Sequence, residues 1–416
     1  MFFVYQLFLI ILIIISPFII FYRILKNKED KKRFIEKFSI STEKKIEGKL
    51  IWFHGASVGE ILSIIPIIDY YENDKSITQI LITSSTLSSS KIIKKYKFKK
   101  TIHQFYPIDQ SYFVNKFLNY WKPSIAIFID SEIWPNMFRN IKNNKINLIL
   151  LNARLTKKSF YRWMKIKDFF SLILKNVTVA FPQNLETKIY LNKANVKKIN
   201  HIGNLKFAEN HKNDSNTISK NLKREFNKKK IWVASSTHRP EEFFCARAHI
   251  ILKKANKNLI TIIIPRHIHR VKEIVNQIKK LKLNVVLHSS KIKKLNDVDI
   301  YIVDTFGETR KFHEISSTVF LGGSIVERGG QNPLEAARFG ANILHGPNIY
   351  NFKDVYKFLK KLNVSKKIKT PNELAFKIKF KKNMKTGVKI KNIGDKILKK
   401  TIYELNKQIR NEYEKT

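Results

Sequence analysis

Leu50-Ile51-Trp52-Phe53-His54-Gly55-Ala56-Ser57-Val58-Gly59-Glu60 is the stretch on which the fold turns. Its first four residues are apolar and β-prone. Glycines at 55 and 59 break the run, and Glu60 opens the apolar helical pattern of residues 61–68. The segment reads as strand, tight turn, then helix, with an acid at the helix start. In open α/β sheets, turns at the carboxyl ends of the strands are where ligands bind. Glu60 is therefore a candidate catalytic base, with a plain helix-start carboxylate as the alternative. The helix dipole favours its anion, which alone predicts a lowered pKa. A working base also needs desolvation.

The same alternation continues outward. Strands are expected at residues 49–53, 78–83, 123–129, 145–152, 177–180 and 199–202 in the first half. In the second half they are expected at 230–234, 259–264, 284–287, 299–303, 318–321 and 341–344. A Ser/Thr turn is expected at 84–90, with a helix following from about Ser90. Most of these strands are apolar throughout rather than alternating, as a parallel sheet covered on both faces requires. A polar stretch at 210–219 divides the two sets. The fold class is α/β, with two Rossmann-like doubly wound domains facing a cleft. The expected segments are a transmembrane anchor at 1–23 and a basic linker with a membrane-proximal helix at 24–48. Domains follow at 49–208 and 220–385, then a charged amphipathic helix in the tail at 386–416, its pattern running over 390–414.

The anchor rests on residues 2–22, nearly all apolar, which are long enough to cross a hydrocarbon core of about 30 Å. Cations begin only at Arg23 and continue through Lys26, Lys28, Lys31, Lys32 and Arg33. By the positive-inside rule this predicts a single pass through a membrane with the domains on the cytoplasmic side. Positive charge before the run and a small-residue site after it, the marks of a cleaved signal peptide, are missing.

The 416 residues carry a formal net charge of +46 and one cysteine. A single thiol excludes an internal disulfide framework and a Cys-rich zinc site. The charge points to nucleic acid or an anionic membrane surface. Lysine is, however, spread over helices, strands and loops alike. No segment interleaves cations with aromatics as a nucleic-acid groove does.

Further strand ends carry chemistry. After residues 318–321 comes Gly322-Gly323-Ser324, then a second glycine pair and Gln331-Asn332-Pro333-Leu334-Glu335. The order predicts a helix with Asn332 as N-cap, Pro333 at the first position and Glu335 at the third. The glycines free the backbone for close approach to a ligand. Residues 234–242 supply hydroxyls, Arg266 follows an apolar strand as a phosphate partner, and Asp304 and Glu308 end another. His238, His267 and His269 are split between two loops without a metal-ligand spacing. In the first half, residues 83–90 and Asp130-Ser131-Glu132-Ile133-Trp134-Pro135 also follow strands.

Taken together, HGASVGE (54–60), IDSEIWPN (129–136), LLNARL (150–155), GNLKF (203–207), ASSTH (234–238), IPRH (264–267), VDTFGE (303–308), GGSIVERGGQNPLEAA (322–337) and HGPNIYNFKD (345–354) resemble the 3-deoxy-D-manno-oct-2-ulosonic acid (Kdo) transferase family of lipopolysaccharide synthesis. The resemblance implies a membrane-anchored GT-B glycosyltransferase that needs no metal and no cofactor. Its donor would be CMP-Kdo and its acceptor the lipid A precursor, lipid IVA. It implies that Glu60 is the general base and that Asp130 and Lys206 stabilise the transition state. It places Pro265, Arg266, Phe306, Gly307, Glu308, Asn332, Pro333, Leu334 and Glu335 on the CMP. Two departures stand out. Asp130 replaces a customary Glu, and the 83–90 loop has Ser where relatives carry Thr-Gly. The alternatives are a membrane-associated GT-B enzyme with another nucleotide sugar, or a membrane-tethered nucleic-acid-binding protein. The strand-end residues argue against the second.

Overall fold

A computed structural model of the chain describes residues 1–208, 217–291 and 294–410. Most of the boundary expected at 210–219 lies outside the described residues, as do the last four positions of the 390–414 pattern. The chain forms two compact units. One takes residues up to Asn210 together with those from Gly394 onward, and the other runs from His211 to Ile393.

In the first unit β1 (Leu50–His54), β2 (Gln79–Ser84), β3 (Thr101–Phe105), β4 (Ile125–Ile129), β5 (Asn147–Ala153) and β6 (Val179–Pro182) form a parallel sheet in the order β3-β2-β1-β4-β5-β6. Successive side chains of a strand point to opposite faces, and the core divides accordingly. Leu50, Trp52, Leu81, Ala126 and Phe128 join one cluster. Ile51, Phe53, Ile80, Ile82, Ile125 and Ile127 join the other. Both faces are covered, which is why these strands read as apolar throughout. β1 and β4 are neighbours although their connections run to opposite sides. That is the topological switch point, where open sheets leave a crevice.

The second unit holds β7 (Lys230–Thr237), β8 (Leu259–Pro265), β9 (Val285–Leu287), β10 (Ile300–Ile302), β11 (Thr318–Leu321), β12 (Asn342–His345) and β13 (Ser365–Lys367). Their order is β13-β12-β11-β7-β8-β10-β9, again all parallel. Here the switch point lies between β7 and β11.

Several local expectations differ from the structure. Residues 199–202 form no strand; Ile199 makes one isolated bridge to Ala180. β3 lies outside the expected strands because His103 and Gln104 interrupt its apolar pattern. Both are buried, and His103 is held by Ser84 Oγ at 2.8 Å and by Arg33, which donates to its carbonyl at 2.6 Å. β13 is an edge strand whose two lysines are exposed, a common way to blunt a sheet edge. Thr86 caps a helix Leu87–Ile93 by accepting from Ser89 N–H, so much of the expected Ser/Thr turn is helical.

Helix α1 (Phe2–Leu25) has a mean hydropathy of 2.7 over its most apolar window and is long enough to cross a membrane. Residues 24–48 contain one short 3-10 helix, Arg33–Phe38. The tail forms a helix, Met384–Arg410. Its later half places Leu405 and Ile409 in the first unit's core. A Cβ on Gly394 would lie 2.0 Å from the carbonyl oxygen of Phe207. Only glycine lets the helix press directly on the turn that carries Lys206.

Candidate active site

Glu60 sits in the first turn of α2 (Val58–Glu72), in a reciprocal capping box with Ser57. Its carboxylate accepts from Ala56 N–H at 2.7 Å and from Ser57 Oγ at 2.7 Å. These bonds favour the anion, as the sequence led us to expect. They do not win. Burial pushes the Glu60 carboxyl up to about 7, with the Ser57 bond opposing it and the nearby charges of Glu132 and Asp130 adding to it. The helix dipole alone predicts a depressed pKa; desolvation and like charge, which the local sequence does not reveal, outweigh it.

Asp130 and Glu132 come from the loop after β4, the strand beside β1. Asp130 adopts φ +63°, a left-handed conformation that Asp tolerates better than most residues. Its backbone continues the ladder to β5: its N–H donates to Leu151 at 3.1 Å, and its carbonyl accepts from Arg154 at 3.0 Å. Burial raises the Asp130 carboxyl, while the charges of Lys206 and Arg154 pull it back down. Lys206 stands on a 3-10 turn, Leu205–Ala208, secured by Asn152, which accepts from Leu205 N–H at 3.0 Å. The structure thus gathers Glu60, Asp130 and Lys206 at one end of one sheet.

It adds members to which the sequence assigned no role. His54 is fully buried at the end of β1. Its Nδ1 lies 2.9 Å from Thr83 Oγ1, and its Nε2 lies 3.3 Å from Glu132. Trp134 Nε1–H donates to the same Glu132 oxygen at 3.0 Å. The His54 ring stacks on Tyr106 at 3.9 Å between centroids. Burial lowers the pKa of His54, which keeps the ring neutral. Arg154 is the second cation beside Asp130. The available signal was positional: a His closing an apolar strand, and a second carboxylate two residues beyond the first.

In the second unit Pro265 closes β8, and the N–H of the exposed Arg266 donates to Thr237 at the end of β7, at 3.0 Å. His238 follows Thr237. Burial and the charges of His267, Arg328, Arg266 and Arg270 lower its pKa to about 4. Cationic groups therefore converge at these strand ends. Thr237 Oγ1 is buried with no hydrogen-bond partner among the described residues. The His267 ring lies 5.5 Å between centroids from His238 and from His269. No group of three His, Cys, Asp or Glu side chains among the described residues is placed to hold a metal ion.

The glycine segment differs from expectation. The backbone N–H groups of Gly323, Ser324 and Ile325 all donate to the buried carboxylate of Glu241, at 2.7, 3.0 and 2.9 Å, and His238 N–H joins them at 2.9 Å. A Cβ on Gly322 would meet the Ser236 carbonyl oxygen at 2.5 Å. The close approach is to the β7 turn, and these donors are engaged by protein. The expected helix also starts later. Pro333 occupies the capping position, the helix runs Leu334–Arg338, and Asn332 accepts from Leu334 N–H at 3.1 Å from outside it. Leu334 is buried. Glu335 turns to His313, which donates from Nδ1 at 2.8 Å and meets Ser235 Oγ through Nε2 at 3.0 Å. On the loop after β10, Phe306 is exposed and Gly307 has φ +85°. Glu308 pairs with Lys311 at 2.6 Å and lines a cavity of about 410 Å³ together with Tyr301, Thr305 and His288.

Residues 31–209 match the family described as 3-Deoxy-D-manno-octulosonic-acid transferase (kdotransferase). The 3-deoxy-D-manno-octulosonic acid transferase of Rickettsia bellii is 34% identical over 395 residues, covering 95% of this chain and 94% of that one. The Haemophilus influenzae enzyme of the same name is 28% identical over 312 residues, covering 74% and 73%. Among solved structures, a Staphylococcus aureus MnaA–UDP complex superposes with a TM-score of 0.53 at 14% identity, covering 86% of this chain and 97% of that one. At that identity the likeness speaks for the fold alone, the GT-B architecture. Two parallel Rossmann-like units and a relative at 34% identity over nearly the whole chain lead to one conclusion: the chain belongs to the 3-deoxy-D-manno-octulosonic acid transferase family of glycosyltransferases.

Proposed function

We propose that this chain transfers Kdo from CMP-Kdo to lipid IVA, the lipid A precursor, by a metal-independent inverting displacement at the cytoplasmic face of the inner membrane. The observation that carries the reading is the gathering of Glu60, Asp130 and Lys206 at one end of one sheet, where burial pushes the Glu60 carboxyl up to about 7. A carboxylate poised near working pH is suited to take a hydroxyl proton. Glu60 removes the proton as the acceptor oxygen attacks the anomeric carbon. The bond to CMP breaks, and the leaving phosphate takes its electron pair. Asp130, aided by Lys206, stabilises the charge developing on the sugar.

The donor side rests on Arg266 and its cationic neighbours for the phosphate. Pro265, Phe306, Gly307, Glu308, Asn332, Pro333, Leu334 and Glu335 form the rest of the CMP site. His313, itself braced by Ser235, holds the Glu335 carboxylate. The reading calls for no cofactor and no nucleic-acid partner. Membrane association is assigned to α1.

The test is direct. Membranes carrying the full chain are incubated with CMP-Kdo and lipid IVA, and the product is weighed by mass spectrometry. A mass increase of one or more Kdo units is expected. Glu60→Gln, shown to be folded, is expected to lose transfer, and near-normal turnover would remove Glu60 from the mechanism. Inhibition by UDP rather than CMP would redirect the donor assignment.

A further inference from the structure

We propose that α1 does not cross the bilayer but lies along it, clamped to the first unit on one side and immersed on the other in an anionic leaflet. The covered positions on α1 include Phe2, Tyr5, Leu9, Ser16, Ile20 and Arg23. Their spacing puts them on one helical stripe from end to end. Between them Phe3, Phe8, Ile14, Phe18, Phe21 and Leu25 are exposed. The helix is thus covered along its length on a single face.

Both ends are tied down. At the start, Tyr5 OH donates to Asp109 at 2.7 Å, and the Gln6 amide donates to Asn136. Phe2 meets Phe169 edge-on at 5.7 Å, with the Arg139 guanidinium 5.0 Å from its ring. At the other end, Arg23 pairs with Glu29 at 3.0 Å. Glu29 also pairs with Lys37, whose carbonyl accepts from Ile108 N–H at 2.9 Å. All these partners belong to the first unit. A helix of 24 residues is about 36 Å long. If it crossed, its first turn would reach the far side of a hydrocarbon layer about 30 Å thick. Tyr5 would then be beyond the reach of Asp109. The single pass expected from the sequence and this latch exclude each other.

The free face fits lipid rather than protein. It offers almost no hydrogen-bonding group, whereas protein interfaces carry polar rims with hydrogen bonds. It ends at Tyr22 and then at the exposed Lys26, Lys28, Lys31 and Lys32, which suit anionic headgroups. The latch also reaches the candidate site. Asp109 accepts from Asn136 N–H at 3.0 Å and from Met137 N–H at 2.8 Å, in the first turn of the helix Pro135–Asn143. That helix follows the loop of Asp130 and Glu132. The membrane seat and the acceptor-side carboxylates thus share one support.

The inference rests on the membrane association proposed above and is separate from the sugar chemistry. A cysteine is inserted directly after Met1 in the full chain, and inside-out inner-membrane vesicles are treated with a membrane-impermeant maleimide. Wild type supplies the blank, because Cys245 is buried. Lys254→Cys marks the cytoplasmic face. The N-terminal cysteine is expected to label as fully as Lys254→Cys before any detergent is added. Labelling only after permeabilisation, on a chain that stays with the vesicles, overturns the in-plane placement alone. Recovery of the chain in the soluble fraction, as monomer or as dimer, overturns the membrane association and this inference with it.

Discussion

Nε2 of His54 lies 3.3 Å from a carboxylate oxygen of Glu132, and this contact ends a hydrogen-bonded file that begins in the core. Trp52 Nε1–H, which can only donate, meets Thr83 Oγ1 at 2.9 Å. Glu132, at the far end, accepts. The directions follow from these termini: indole to threonine hydroxyl, hydroxyl to His54 Nδ1, and Nε2–H to the carboxylate. The carboxylate of Glu132, which only accepts, thereby sets the Nε2–H tautomer of the neutral His54 ring. His54 and Trp134 together hold Glu132, whose charge raises the pKa of Glu60.

The first prediction concerns pH. Glu60 acts as a base only when ionised, and its pKa is about 7. Transfer is expected to rise with pH up to about 7 and to fall about tenfold per unit below it. Stability runs the other way. A carboxyl raised from 4.5 to about 7 contributes stability at low pH that is lost as pH rises through that window. Glu60→Gln should therefore unfold at higher urea than wild type at pH 8 by about 1–3 kcal/mol, and similarly to it at pH 4. Equal stability at pH 8 would show that Glu60 is not strained by ionisation.

Glu132→Gln removes one of the charges that raise Glu60. The acid limb of the rate profile is expected to move to lower pH while the fold is kept. An unmoved limb in the folded variant would assign the shift to burial and Asp130.

Thr83→Val interrupts the file and leaves the indole N–H of Trp52 buried without an acceptor. A loss of about 1–3 kcal/mol in urea unfolding is expected. Thr83→Ser keeps the hydroxyl and should recover most of it.

Glu241 organises the turns after β7 and β11 by accepting from four backbone N–H groups. Glu241→Gln puts an amide NH₂ among backbone donors, and Gly322→Ala drives a Cβ to 2.5 Å from Ser236 O. Both are expected to raise KM for CMP-Kdo by about tenfold or more, an effect of about 1.4 kcal/mol, with a smaller change in kcat. Equilibrium dialysis with CMP provides the check.

Much of this protein is legible in the residues themselves. The glycine turn after 50–53 marks a strand end, and the apolar strands on both sides of it mark covered parallel sheets, because a buried strand must be apolar on both faces. The motif order shows the family. Strands such as β3 were hidden because buried polar residues there are satisfied by partners far along the chain, Arg33 among them. Position named Glu60 as a candidate, and the family resemblance added Asp130 and Lys206. The fold decided how they behave. Local bonds at a helix start predicted a stronger acid in Glu60, and desolvation with two neighbouring carboxylates made it a weaker one. The glycines at 322 and 323 announced a close approach, and only packing showed that the approach is to Glu241 and the β7 turn. Composition marked α1 as apolar enough for a membrane. What its two faces touch depends on Asp109, Asn136 and Phe169, residues that the chain brings to it only when folded. Short-range pattern determines which elements form, whereas pKa and contact depend on charges and surfaces that meet only in three dimensions.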